Sequence, residues 1–211
     1  MNRPARSVRS GLVAPLLLDH VNTDVIIRSR DIPPRASDDF GRALFACWRE
    51  SGSETFVLDR PEYRDASILL AGANFGCGSS REAAVWALRD AGFACVIAAG
   101  FGAIFRANCV QNGIVPVALT PQWHAELAAL ATAERIEVTV DVERLAVVLP
   151  DGRTAPFALD PLQQVQLATG RSAIDLIDEH AAAIARFAVD DARRRPWAHP
   201  RPAPTTPEEA L

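Results

Sequence analysis

Asn74-Phe75-Gly76-Cys77-Gly78-Ser79-Ser80-Arg81-Glu82 stands between two apolar runs of different periodicity. Ahead of it, residues 67–71 (Ser-Ile-Leu-Leu-Ala) are almost continuously apolar, as in a strand covered on both faces. Behind it, residues 83–91 repeat apolar side chains at helical spacing. Strand, glycine turn and helix make the first half of a βαβ unit. Gly76 and Gly78 allow a tight turn or a close approach of backbone to a ligand. Ser79 and Glu82 are spaced as in a capping box, which predicts a helix over 80–91. A helix N-terminus carries about half a positive charge and several free N–H groups. Arg81 adds a planar fork suited to a carboxylate. The stretch predicts a small-anion site with two hydroxyls and a thiol beside it, although the same pattern also begins ordinary helices.

The alternation continues outward on both sides. Gly92 closes the first helix. Residues 94–98 read as a strand, 103–111 as a helix stopped by Gly113, and 114–119 as a strand. Such repetition predicts a parallel sheet with right-handed crossovers, which binds ligands at the carboxyl ends of its strands. Upstream, 12–17 reads as a strand, 19–24 as a polar loop and 25–27 as an apolar restart. Within that loop Thr23 and Asp24 either line a cleft or make a turn that starts a helix. Residues 28–39 contain Pro33-Pro34 and Arg28, Arg30 and Arg35, and read as a mobile loop. Those arginines either recognise a carboxylate or are solvated. Residues 40–49 have helical spacing, with Leu44, Phe45 and Trp48 on one face, and 51–60 read as a loop holding Phe56-Val57-Leu58.

Downstream, Thr120-Pro121 opens a helix to about 131, with His124 on its surface. Residues 136–140, 145–149 and 154–158 read as short strands turned by Asp151-Gly152. They predict a small antiparallel meander packed beside the parallel layer. Asp160-Pro161 caps a helix ended by Gly170. Residues 174–192 read as helix, with Ile177, Ala181, Ile184 and Phe187 on one face and His180 structural. The fold class is α/β: a parallel βαβαβ core, an antiparallel meander and C-terminal helices. The organisation predicted is a flexible N-terminus over 1–10, one domain over 11–192 and a disordered Pro-rich tail over 193–211.

Composition narrows the function classes. The chain has 211 residues, 49% of them apolar, enough for one core. No apolar run approaches a membrane span, and the basic start lacks an apolar segment of signal-peptide type, so a cytoplasmic location is expected. A net charge of −4 argues against general nucleic-acid binding. All 22 basic residues are arginine, which excludes lysine chemistry in this chain. The four cysteines, Cys47, Cys77, Cys95 and Cys109, have neither zinc-ribbon nor cluster spacing. Cys95 reads as a buried small hydrophobe.

The run from Asn74 to Glu82 resembles the small subunit of 3-isopropylmalate dehydratase, the swivelling β/β/α domain of the aconitase superfamily, which carries these nine residues in this order. The resemblance extends over about residues 11–197. It includes Phe101-Gly102-Ala103-Ile104-Phe105, Asn108, Gln111-Asn112-Gly113, Pro116-Val117, Phe157, Asp160, Gly170 and Trp197. It implies a hydro-lyase that isomerises 2-isopropylmalate to 3-isopropylmalate through 2-isopropylmaleate, in leucine biosynthesis. It also implies a separate large subunit, in a heterodimer or heterotetramer, that carries a [4Fe–4S] cluster, with no metal held here. By the same resemblance Ser79 is the base, Arg81 and Ser80 hold a substrate carboxylate, and Gly76, Cys77 and Gly78 lie against it. Thr23, Asp24 and Asn108 line the site, although Asn108 reads equally as an exposed polar residue of its helix.

The chain departs from the pattern in several places. Asn22-Thr23-Asp24 and Arg28 stand where the family has Asp-Thr-Asp and a proline, Ala83 replaces the usual histidine, Val85 stands where proline is common, and Arg171 and Asp175 also differ. Ala83 and the 28–39 loop leave open a paralogue acting on a methylmalate, a dimethylmaleate or a homoaconitate. Two other readings stand beside it: a cysteine hydrolase pairing Cys77 with His20, and a non-catalytic anion-binding subunit.

Overall fold

The computed structural model describes residues 7–34, 39–50, 56–78 and 81–199. The chain divides into two compact units, Met1–Arg171 and Ser172–Leu211.

In the first unit the strands are β1 (Val8–Leu16), β2 (Ile68–Ala71), β3 (Cys95–Ala98), β4 (Val115–Ala118), β5 (Glu137–Asp141), β6 (Ala146–Val148) and β7 (Thr154–Pro156). They form one seven-stranded sheet in the order β4-β3-β2-β1-β5-β6-β7. The first four pair in parallel, as the alternation predicts. The meander is not a separate layer packed beside them. It continues the same sheet, because the two ends of β1 serve different neighbours: Val13–Leu16 pair with β2, and Val8–Leu12 pair antiparallel with β5. Residues 8–10 are therefore strand rather than a flexible start. Their partners lie about 130 residues away, which no local pattern reveals.

Alternation along the strands divides the core. Leu69, Ala71, Val96 and Ala98 face one layer, and Ile68, Leu70, Cys95 and Ile97 the other. The first layer takes helix α1 (Thr23–Ile26), helix α2 (Ala46–Glu50) and helix α3 (Glu82–Asp90), with Phe105 and Cys109 of helix α4 (Ala103–Gln111). The second takes helix α5 (Pro121–Ala133), the meander and Leu167 of helix α6 (Pro161–Thr169). With helices on both faces, β2 and β3 are buried at every residue.

The punctuation residues act as their chemistry requires. Thr120 accepts a hydrogen bond from the Trp123 amide, and Asp160 one from the Leu162 amide. Gly152 has φ +85° in the hairpin after β6, and Gly170 closes α6 at φ +72°.

The expected helix over 40–49 is broken. A 3₁₀ turn, Phe40–Ala43, is followed by Phe45 at φ +52° before α2 starts. The buried Phe45 ring stacks on Trp48 at 5.1 Å and meets Phe56 edge-on at 5.7 Å, while its amide donates to Ile26 O at 2.9 Å. Aromatic packing and that bond offset the cost of a left-handed non-glycine residue. His124 is not a free surface residue, since its Nε2 lies 2.7 Å from the carbonyl oxygen of Ala71 at the end of β2.

In the second unit the helical run is two helices, α7 (Ala173–Asp178) and α8 (Ala181–Arg194), with His180 at the junction. A capping box does occur here, between Ser172 and Asp175. Helix extends to Arg194 and a 3₁₀ turn, Pro196–Ala198, follows, so residues 193–199 are ordered structure rather than tail. Asp191 binds Arg195 through two oxygens at 2.7 and 2.8 Å and His199 at 2.9 Å, which holds its carboxyl below the usual range. Residues 200–211 lie outside the described residues.

Candidate active site

The loop after β2 is threaded between the loops that follow β1 and β3. On one side the His20 amide donates to Ala73 O at 2.8 Å, Gly76 N to Val21 O at 2.7 Å, and Thr23 N to Cys77 O at 3.1 Å. On the other side Phe75 N donates to Gly100 O, and Gly102 N to Phe75 O, both at 2.9 Å. Asp19 accepts from the Ala73 amide at 2.6 Å. Three crossover loops are thus joined by backbone bonds at the carboxyl ends of parallel strands, the edge where such sheets bind ligands.

The threading requires special backbone. Asn74, Gly76 and Gly78 have φ of +54°, +70° and +89°. A Cβ on Gly76 would stand 2.1 Å from Cγ of Phe105, a buried ring packed edge-on against Phe75. Gly76→Ala combines left-handed strain with overpacking, about 2–5 kcal/mol in all. The melting temperature of the isolated subunit is expected to fall by on the order of 10 °C. Gly92→Ala is the control: its φ is +95°, but nothing lies within 4 Å of the added carbon, so its loss should be clearly smaller. Equal losses would show that the Phe105 contact carries no cost.

Ser79 and Ser80 lie outside the described residues. The helix they precede begins at Glu82, with Arg81 in the N-cap position and no side-chain capping bond. Glu82 is therefore the first helical residue rather than the third, and the expected capping box involves Ser79, outside the described residues. The Glu82 carboxylate accepts from Asn112 Nδ2 at 2.9 Å. Arg81 is partly exposed and pairs through Nη1 with Asp24. These two predicted site residues come together, one from α3 and one from α1. Thr23 does not join them at the surface: it is buried, in the first turn of the helix that Asn22 caps. The turn-and-helix reading of 22–26 is the one that forms.

Cys77 is half-buried beside this pair, with its thiol 3.5 Å from His20 O. The His20 ring faces elsewhere, its Nδ1 lying 3.1 Å from Asn74 Nδ2. The contact is with the backbone of His20, so the thiol–imidazole pair that a cysteine hydrolase needs is not formed. Burial pushes the Cys95 thiol up to about 12 and raises that of Cys109, which leaves both inert. Asn108 is half-buried on α4, and its carbonyl accepts from Asn112 Nδ2 at 2.9 Å.

Arg28 and Arg30 of the 28–39 segment are engaged by internal carboxylates. Arg28 grips Glu50 with both Nη atoms, at 2.7 and 2.6 Å, and bonds Asp31 through Nε. Arg30 reaches Glu50 at 3.4 Å. The hydrogen bonds from Arg28 hold the Glu50 carboxyl below its ordinary value. Arg35 lies outside the described residues. Ala83, at the position of the family's histidine, is buried against the core. Asn112, which bridges Glu82 and Trp86, was not singled out from sequence; an Asn-Gly pair ending a helix looks like an ordinary cap.

Comparison with known proteins bears on what this geometry does. The family described as aconitase C-terminal domain matches residues 45–122. The 3-isopropylmalate dehydratase small subunit of Cupriavidus necator is 46% identical over 202 residues, covering 92% of this chain and 97% of that protein. The same-named protein of Rhodospirillum centenum is 40% identical over 197 residues, covering 91% and 97%. The crystal structure of a 3-isopropylmalate dehydratase from Methanocaldococcus jannaschii has the same fold, with a TM-score of 0.61 and 24% identity over 85% of this chain and 98% of that one.

Proposed function

Because the chain belongs to the family of 3-isopropylmalate dehydratase small subunits, we propose that it works with a large subunit to interconvert 2-isopropylmalate and 3-isopropylmalate by removing and restoring water. The observation that carries the reading is the 46% identity across nearly the whole of both chains. The Arg81–Asp24 pair on the threaded loop accords with it.

The reaction removes a proton alpha to a carboxylate and expels a hydroxyl. Two protein groups are needed for the first half, a fork to hold the diacid and a base to take the proton. Arg81 holds one carboxylate, with N–H donors left beyond the one given to Asp24. Ser80 and the amides of Cys77 and Gly78 add hydrogen bonds to it, Gly76 lets the backbone approach, and Asn108 lines the approach. Ser79 takes the proton as an alkoxide. Its ionisation is favoured by the helix start and by the guanidinium two residues on, since nearby positive charge lowers a pKa.

Among the described residues no group of three or more His, Cys, Asp or Glu side chains converges as a metal ion would require. On this reading the large subunit would hold a [4Fe–4S] cluster, which would supply a Lewis acid for the hydroxyl. No helix among the described residues is long and apolar enough to cross a membrane, and we place the complex in the cytoplasm.

Reconstitution with a 3-isopropylmalate dehydratase large subunit tests the reading. The mixture should hydrate 2-isopropylmaleate and isomerise 2-isopropylmalate, while each subunit alone is inactive. A panel of four- to seven-carbon hydroxydiacids decides between this substrate and a methylmalate, dimethylmaleate or homoaconitate. Turnover of one of those, with none of isopropylmalate, would overturn the substrate assignment.

A further inference from the structure

We propose that Asn112 is a positioning residue for the reaction, acting through Glu82 to hold the start of α3, and with it Arg81, in place. The proposal rests on the functional reading above.

Asn112 is the C-cap of α4, and its side-chain amide is engaged at both ends. Its Nδ2 donates to Glu82 Oε1 and to Asn108 O, each at 2.9 Å. Its Oδ1 accepts from Trp86 Nε1 at 3.1 Å. Glu82 and Trp86 are four residues apart on one face of α3. The amide therefore grips that helix at two points, one in its first turn and one in its second, which opposes both sliding and rotation. Trp86 is itself fixed, packed edge-on against Phe40 at 5.2 Å.

The grip matters because the turn has no side-chain cap of its own at Arg81. An uncapped helix start frays, and here the residue that would fray is the proposed carboxylate holder. At its other end α4 is joined to the same loop, through Gly102 N to Phe75 O. One helix thus pins the loop on both sides of its catalytic segment, with Asn112 as the distal pin.

The test uses the reconstituted complex. Asn112→Asp places a carboxylate against that of Glu82, and a shift of the turn by about 1 Å should lower kcat/KM roughly 10- to 100-fold. Glu82→Gln alone keeps an acceptor but gives up the charge-assisted bond, and should cost only severalfold. Combined, the two changes restore a donor–acceptor pair with the roles exchanged, and should recover part of the loss, the Asn108 carbonyl remaining without its donor. Trp86→Phe keeps a six-membered aromatic ring against Phe40 but removes the donor with the rest of the indole, and should cost severalfold. Circular dichroism and melting temperature should be similar for the single Asp variant and the double variant, so the rescue reports position rather than folding. Wild-type activity in Asn112→Asp, or no recovery in the double variant, would overturn the proposal. A wild-type complex that fails to turn over isopropylmalate would instead overturn the functional reading.

Discussion

Ser79→Ala, reconstituted with the large subunit, is expected to lose about 10²- to 10⁴-fold in kcat, the range a positioned general base supplies. KM for 2-isopropylmalate should change little, because the proposed reading gives the carboxylate to Arg81 and not to this hydroxyl. The melting temperature should stay at the wild-type value, since Ser79 lies just ahead of a helix whose N-cap position belongs to Arg81. Ser79→Cys is informative in the same assay. A thiol ionises far more readily than a hydroxyl, so a residue whose task is to lose a proton should be partly replaced by it, with activity rising as pH approaches the thiol's range. If Ser79→Ala turned over at near the wild-type rate, Ser79 would not be the base, and the proton would have to go to another group. Cys77, half-buried on the same loop, would be the next residue to substitute.

Much of the frame was readable because it rests on local chemistry. The apolar tetrads of β2 and β3 have to be central strands, since no other arrangement covers them on both sides. Gly92, Gly113, Gly152 and Gly170 all take positive φ where a helix or hairpin must end. The helix over 103–111 forms with those bounds.

What escaped the sequence depends on distant partners. The fate of residues 8–10 is decided by β5, and the break at Phe45 by Trp48, Phe56 and the Ile26 carbonyl. The Glu82 carboxylate accepts from Asn112, 30 positions away, a partner that no local spacing reveals. In the site, Asp24 and Arg81 could be nominated singly from a resemblance. That they meet follows only from the threading of the loop after β2 past the loop after β1. The same threading buries Thr23, whose neighbour carries the exposed charge.

Arg81→Lys should raise KM for the diacid by about ten- to a hundredfold in the reconstituted complex and lower kcat less. The first figure follows from the roughly 1.5–3 kcal/mol of a hydrogen bond to a charged group, at 1.4 kcal/mol per factor of ten. Lysine keeps the charge but offers a single centre, so it cannot bind Asp24 and a substrate carboxylate as two arms of one plane. Asp24→Asn separates two roles for that partner. If Asp24 merely neutralised Arg81, removing its charge would free the fork and tighten substrate binding. The pair is partly exposed, worth about 0–1 kcal/mol, so that gain would be small. On the proposed reading Asp24 instead orients the fork from α1, so that without it the guanidinium would swing away from the loop. Asp24→Asn is therefore expected to raise KM severalfold, and to add little when combined with Arg81→Lys because both changes remove the same alignment. A lower KM in Asp24→Asn, or losses that add fully in the double variant, would show that the carboxylate competes with substrate rather than aiming the residue that binds it.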